Sequence, residues 1–143
     1  MTTRKQVINE ARKWLGVPYR HQGRSVRGLD CGGLLIVVSQ EIGFAYKERF
    51  TRYSRNAETF NLRQEMNRVL EPIDKESIQP GDFLLFRFQG LAHHVAITTD
   101  YPGDKIGMIH THAGVGKVAE HRFANAWKSH LMQAFKIPDI GDW

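Results

Sequence analysis

The residue pattern of this chain changes at Pro80, and that change constrains the fold more than any other feature. Before Pro80, apolar residues such as Val7, Ile8 and Ala11 recur at the spacing of an amphipathic helix. After Pro80, short apolar runs alternate with turn residues, which is typical of strands. Helices followed by an antiparallel meander predict an α+β fold, in which the helices pack on one face of a sheet of about five to six strands.

The first part of the chain predicts three helices. The middle one, Cys31 to Ile42, holds an apolar run that could also form a strand, but its Gly-Gly start and Gly43 at its end favour a helix. The other two are predicted over Val7 to Leu15, ending at Gly16 and Pro18, and over Ala57 to Leu70, with Asn56 as cap and Pro72 as stop.

The second part predicts short strands separated by turns. Pro80-Gly81-Asp82 and the DYPGDK segment carry residues that favour turns. A short helical segment is predicted around Ala124 to His130. The predicted strands are FLLFRF, HHVAITT, IGMIHTH, KVAEH and MQAFKI.

Composition indicates an ordinary globular protein that forms a single domain over residues 1–143. Apolar residues make up 41% and charged residues 24% of the 143, and no apolar run is long enough to cross a bilayer. The start, MTTRKQVINEARKW, lacks the apolar core of a signal peptide, so we expect synthesis in the cytoplasm. The net charge of +5 favours polyanionic partners, but no zinc-finger spacing or phosphate-binding loop supports nucleic-acid binding.

The only cysteine, Cys31, stands at the start of the second predicted helix rather than within its apolar run. Backbone N–H groups at a helix start favour a thiolate, so this position predicts a lowered thiol pKa, with Asp30 as the N-cap. The adjacent carboxylate of Asp30 acts mildly against the thiolate. From position alone, Cys31 is equally well a nucleophile or a small residue of the core.

The histidines favour the nucleophile. If HHVAITT and IGMIHTH form a hairpin whose turn is centred near Pro102, His94 lies directly opposite His110. Alternation then places His112 on the same face and His93 on the other. Cys31, His94 and His110 thus supply a nucleophile, a base and a residue that orients the base, as in cysteine hydrolases.

The other histidines have simpler interpretations. His93, His121 and His130 are interpreted as ordinary hydrogen-bonded polar residues. Zinc binding by Cys31, His94, His110 and His112 is an alternative, but the closely spaced ligand pairs of zinc motifs are missing. We therefore expect neither a metal ion nor a cofactor.

Three blocks of the sequence together resemble the NlpC-type cell-wall peptidases, which are papain-like cysteine hydrolases. LGVPYRHQGRSVRGLDCGGLL resembles their nucleophile segment, and IQPGDFLLF followed by HHVAI resembles the block that carries the base. MIHTHAGVGKV resembles the block that completes the triad. The tail, VAEHRFANAWKSHLMQAFKIP, is similar to the variant of this family found in phages and phage-like particles.

The resemblance implies a papain-like fold and hydrolysis of amide bonds in peptidoglycan stem peptides, typically between γ-linked D-glutamate and a diamino acid. It assigns Cys31 as nucleophile, His94 as base and His110 as the orienting residue, with His112 as the competing candidate for the third role. Tyr19 and Asp30 are assigned to the substrate and oxyanion region.

A second function stays open at this point. A phage tail-tip or assembly component could keep the same fold and use it to bind other tail proteins. The lack of an export signal and the phage-like tail segment favour this alternative, and both roles could coexist in a particle that carries the protein to the cell wall.

Overall fold

A six-stranded antiparallel sheet forms the centre of the fold. The computed structural model describes residues 2–43, 58–88 and 91–142, with the backbone alone for 58–62 and 91–93. The helices are α1 (Arg4–Arg12), α2 (Cys31–Glu41), α3 (Glu58–Val69) and α4 (Asn125–Lys128). The strands are β1 (Arg24–Ser25), β2 (Gly28–Leu29), β3 (Glu71–Ile73), β4 (Phe83–Phe88), β5 (Leu91–Tyr101), β6 (Lys105–His110), β7 (Ala119–Arg122) and β8 (Leu131–Lys136).

The strand order is β3-β8-β4-β5-β6-β7, and β1 pairs with β2 in a separate small hairpin. The predicted α+β class and strand number are confirmed, and β4 to β7 form the predicted meander. The position of β8 differs from a simple meander, because this last strand pairs between β3 and β4. The strands β1, β2 and β3 have no counterpart in the sequence-based prediction.

The two faces of the sheet are covered differently. Helices α1, α2 and α3 contact β5, and the core between them includes Leu35, Val95 and Ile97. The opposite face is apolar as well, where Ala96 and Phe86 lie under Trp127 of α4. The predicted one-sided arrangement is therefore incomplete, because a short helix also covers part of the second face.

Local signals explain where the helices begin and end. Thr3 and Gln6 form a reciprocal capping box at the start of α1. The apolar run after Cys31 is a helix, as predicted, and Gly43 follows its end with a positive φ of 78°. The proposed cap Asn56 lies outside the described residues. Among the described residues, no helix is long and apolar enough to cross a membrane.

A buried ion pair joins α1 to the start of β4. Arg4 and Asp82 are 5% and 0% exposed, and a guanidinium nitrogen of Arg4 lies 2.6 Å from the Asp82 carboxylate. Burial raises the pKa of Asp82, while the hydrogen bonds from the Gln79 backbone and from Arg4 lower it. Asp82 belongs to the Pro-Gly-Asp turn, so this turn fixes the N-terminal helix against the sheet.

Candidate active site

Asp30 fixes the segment that carries Cys31. One carboxylate oxygen accepts the Gly33 N–H at 2.7 Å, which makes Asp30 the N-cap of α2 as predicted, and the other accepts the Gln22 N–H at 2.6 Å. Asp30 is 4% exposed. Its carboxylate therefore ties the preceding loop to the helix start, and a direct substrate contact by Asp30 stays a prediction.

Glycine is required at position 33, two residues after Cys31, because a backbone carbonyl and a carboxylate lie close to its Cα. A Cβ added at Gly33 would lie 2.3 Å from the Gly23 carbonyl oxygen and 3.0 Å from Oδ1 of Asp30. The residue that precedes the β1–β2 hairpin is therefore packed directly onto the first turn of α2, and it holds Cys31 at a fixed point.

The sulfur of Cys31 lies against the β5 backbone at Val95, the residue that follows His94. Backbone groups of Val95, Gly32 and Cys31 itself hydrogen-bond the sulfur and lower the thiol pKa, but burial and the charge of Asp30 outweigh them and raise the pKa of Cys31 to about 12. The expected lowering of the thiol pKa is therefore wrong. Desolvation of the sulfur is the largest of these effects, although the residue as a whole is only partly buried.

A chain of three imidazole rings begins at His94, the residue before Val95. His94 Nε2 lies 2.9 Å from His110 Nδ1, and both residues are buried. His110 Nε2 lies 2.7 Å from His121 Nε2, and His121 Nδ1 lies 2.8 Å from the Arg122 carbonyl oxygen. Desolvation and the neighbouring His121 and His112 lower the pKa of His110 to about 3, so His110 is neutral near pH 7.

The predicted pairing of His94 directly opposite His110 is wrong, although the two rings do meet. Ile97 pairs with Ile109, which displaces the predicted register by two residues. A shift of two residues keeps every side chain on its face. His94 and His110 are therefore diagonal neighbours on one face, and their rings still form the predicted hydrogen bond.

His112 lies close to the pair but makes a different hydrogen bond. Its ring stacks on His110 at 5.4 Å between centroids, and its Nδ1 accepts the Gly114 N–H at 3.2 Å. Desolvation lowers the pKa of His112. Geometry therefore favours His110 over His112 as the partner of His94 Nε2. The His93 side chain lies outside the described part, and His130 stacks on Phe88 at the edge of the sheet.

Sequence reasoning missed two residues of this site, His121 and Trp127. His121 is hydrogen-bonded to His110, and the Trp127 ring lies 4.7 Å from the His110 ring and 5.6 Å from the His94 ring. Alternation along KVAEH could have indicated His121. Ala119 pairs with His110, and His121, two residues further along β7, lies on the same face of the sheet as Ala119 and His110. No local pattern indicated Trp127.

Tyr19 lies between the two halves of the site. Its N–H donates to the Gly116 carbonyl at 2.9 Å, and Tyr19 forms an isolated bridge with Leu29, two residues before Cys31. The segment before the nucleophile is thus joined to the turn that follows His112. Among the described residues, no group of three or more His, Cys, Asp or Glu side chains is arranged to hold a metal ion.

Both the sequence and the fold of this chain match known proteins. The NlpC/P60 family matches residues 16–136, which include Cys31 and all four clustered histidines. The chain belongs to the NlpC/P60 family. As expected for a member of this family, the fold matches the crystal structure of an NlpC/P60 family protein from Bacillus cereus with a TM-score of 0.67 and 25% identity. That match covers 95% of this chain and 40% of the other.

Curated relatives of this NlpC/P60 domain are similar over part of their length. The gamma-D-glutamyl-L-lysine dipeptidyl-peptidase of Bacillus cereus is 32% identical over 108 residues, covering 73% of this chain and 27% of that protein. The murein DD-endopeptidase MepH of Escherichia coli K12 is 35% identical over 98 residues, covering 65% and 32%. The chain thus spans about a third or less of these two relatives.

Proposed function

We propose that this chain is a cysteine hydrolase that cleaves an amide bond in peptidoglycan stem peptides. The observation that carries the proposal is the 2.9 Å contact between His94 Nε2 and His110 Nδ1. The backbone of Val95, the residue after His94 on β5, hydrogen-bonds the Cys31 sulfur. This arrangement supplies a thiol, an adjacent imidazole and a second group that orients the imidazole.

The reaction follows from these groups. His94 accepts the thiol proton as the sulfur of Cys31 attacks the scissile carbonyl carbon, and the carbonyl oxygen becomes an oxyanion. Backbone N–H groups at the start of α2, with Tyr19 at the same end of the site, stabilise that oxyanion. The imidazolium of His94 then protonates the departing amine, which leaves a thioester on Cys31. Water, deprotonated by His94, hydrolyses the thioester and releases the acid.

Burial determines how the thiolate forms. Because the pKa of Cys31 is raised to about 12, the neutral thiol is the resting form of the sulfur. Proton transfer to His94 therefore accompanies the attack. His110 accepts a hydrogen bond from the resulting imidazolium, and such charge-assisted bonds are stronger than neutral ones.

The substrate bond that we propose joins γ-linked D-glutamate to a diamino acid. The name of the Bacillus cereus relative supports this choice, since it specifies a gamma-D-glutamyl-L-lysine bond, whereas the name of the Escherichia coli relative specifies a DD-endopeptidase. The two bonds release fragments of different mass, so product analysis distinguishes them.

The test is digestion of purified peptidoglycan followed by mass analysis of the fragments. We expect the wild-type chain to release fragments ending in γ-D-glutamate, and we expect Cys31→Ala and His94→Ala to release none while they keep the wild-type circular dichroism spectrum. His130→Gln is the matched control, because His130 is exposed and outside the ring chain. Undiminished cleavage by Cys31→Ala would refute the proposal.

Incorporation into a phage tail or phage-like particle is a separate prediction about where this domain acts. The resemblance of the tail segment supports it, and the site geometry does not bear on it. A purely structural role in the tail would leave the digestion assay negative for the wild-type chain.

A further inference from the structure

We propose that His121 is a positioning residue that holds the proton of His94 on Nε2, acting through His110. The inference rests on the proposed function for the role of His94 as base, but the proton positions themselves can be measured without any activity. His121 belongs to β7, and the sequence alone gave it no role in the site.

The outer end of the chain of rings fixes the position of the first proton. The carbonyl oxygen of Arg122 lies 2.8 Å from His121 Nδ1. A carbonyl can only accept, so His121 Nδ1 carries a proton and donates it. A neutral His121 then has a lone pair on Nε2, which lies 2.7 Å from His110 Nε2.

The next two protons follow from the first. Because His121 Nε2 accepts, His110 must donate from its own Nε2. A neutral imidazole carries one N–H, so His110 Nδ1 has a lone pair and accepts from His94 Nε2, 2.9 Å away. The burial of His110, which is 1% exposed, keeps it neutral, so it donates from only one of its two ring nitrogens.

The consequence for His94 is a proton on Nε2 and a lone pair on Nδ1. This tautomer can take the thiol proton, whereas the opposite tautomer would present an N–H at Nδ1. The same direction also suits the second state of the reaction. When His94 is an imidazolium, its Nε2–H still donates to His110 Nδ1, so no ring has to turn between the two states.

The reverse direction of the hydrogen bonds between these rings would need one more proton on His121. If His110 donated to His94, it would have to accept from His121 Nε2, and His121 would then donate from both nitrogens. That requires a charged His121 close to two other imidazoles. The His121 and His110 ring centroids are 4.8 Å apart, and the His110 and His112 ring centroids are 5.4 Å apart. The direction in which His121 accepts from His110 needs no such charge, and within the described part of the chain the rings contact one another and Trp127.

Two variants separate positioning from packing. His121→Gln keeps an amide oxygen able to accept from His110 Nε2–H, whereas His121→Phe keeps an aromatic ring against Trp127 and loses the acceptor. His130→Gln is again the control outside the chain of rings. Each single-histidine variant also assigns one set of ring-nitrogen signals.

The decisive readout is nitrogen NMR of the histidine rings of the folded protein near neutral pH. We expect the wild-type chain and His121→Gln to hold the proton of His94 on Nε2, and His121→Phe to show a mixture of tautomers. kcat/KM on stem peptides should fall by at least about tenfold in His121→Phe, and largely recover in His121→Gln, because a wrong tautomer disables the base.

Each outcome bears on the inference. A wild-type His94 protonated on Nδ1, or an unchanged tautomer in folded His121→Phe, would overturn it. If the wild-type chain hydrolyses nothing, the proposed function fails, yet the NMR result still decides whether His121 sets the proton. A His121→Gln variant as inactive as His121→Phe, with the wild-type tautomer, would also contradict the inference.

Discussion

His110, whose pKa is lowered to about 3, is surrounded by other rings. His94, His112, His121 and Trp127 all lie within 5.4 Å of it between centroids. Burial removes water from the ring, and the neighbouring imidazoles oppose a second positive charge, so the neutral form is strongly favoured. A neutral His110 keeps a lone pair with which it can accept the hydrogen bond from His94.

The lowered pKa of His110 predicts that stability falls as the solution is acidified. Between about pH 6.5 and pH 3 the unfolded chain binds a proton at this position and the folded chain does not, so the free energy of unfolding decreases by up to about 1.4 kcal/mol per pH unit. Denaturant unfolding at several pH values measures the slope. His110→Gln should show a shallower slope than wild type, whereas His130→Gln should keep it; equal slopes in all three would contradict the assignment.

The raised pKa of Cys31 predicts the pH dependence of its alkylation. Because Cys31 is the only cysteine, iodoacetamide reports on it alone. The rate should be below that of a free cysteine near pH 7 and should keep rising with pH, since the thiolate is scarce at rest. Fast alkylation that is independent of pH below neutrality would instead indicate a permanent thiolate–imidazolium pair.

At the scale of elements, the start of α2 depends on a hairpin packed against it. The Gly23 carbonyl and the Asp30 carboxylate leave no room for a side chain at Gly33. We expect Gly33→Ala to lower the free energy of unfolding by about 1–3 kcal/mol, the range of overpacked sites. Gln40→Ala, on the exposed part of the same helix, should change it by less than about 0.5 kcal/mol. Equal stability of the two variants, measured by urea denaturation, would exclude the close packing.

The elements themselves were largely predictable, and the pairings between them were not. Capping residues distinguished α2 from a strand because Asp30 and Gly43 act locally. The β5–β6 register was displaced because the last pair is Tyr101 with Lys105, and Gly103 and Asp104 both adopt positive φ in the loop. The two-residue shift preserved alternation, so His94 and His110 still came together.

What the sequence could not predict depends on long-range pairing. The insertion of β8 between β3 and β4 joins segments about 45 to 65 residues apart in the sequence, and no local pattern records such a choice. The same holds for Trp127, which reaches the histidines only because α4 folds over the second face of the sheet. The raised thiol pKa was also missed, because burial is a property of the folded surroundings.

At the scale of the whole molecule, the Arg4–Asp82 pair links the N-terminal helix to the sheet that carries the histidines. Removal of one partner leaves a buried charge, so Arg4→Met or Asp82→Asn should lower the free energy of unfolding by about 3–5 kcal/mol. Lys13→Ala is the control, because Lys13 is 71% exposed where it pairs with Glu10, and such pairs contribute less than about 1 kcal/mol. Thermal denaturation of the three variants checks this; equal effects would refute a special role of the buried pair.

The central claim is that the sulfur of Cys31 becomes bonded to the acyl half of a cell-wall peptide. The most direct measurement is rapid acid quenching of the enzyme with a γ-D-glutamyl stem peptide, followed by mass analysis of the intact protein and its fragments. The account predicts a mass increase equal to the acyl half, located on the fragment that contains Cys31 and absent from Cys31→Ala. Stem-peptide hydrolysis that persists in Cys31→Ala, or an adduct on any other residue, would contradict it.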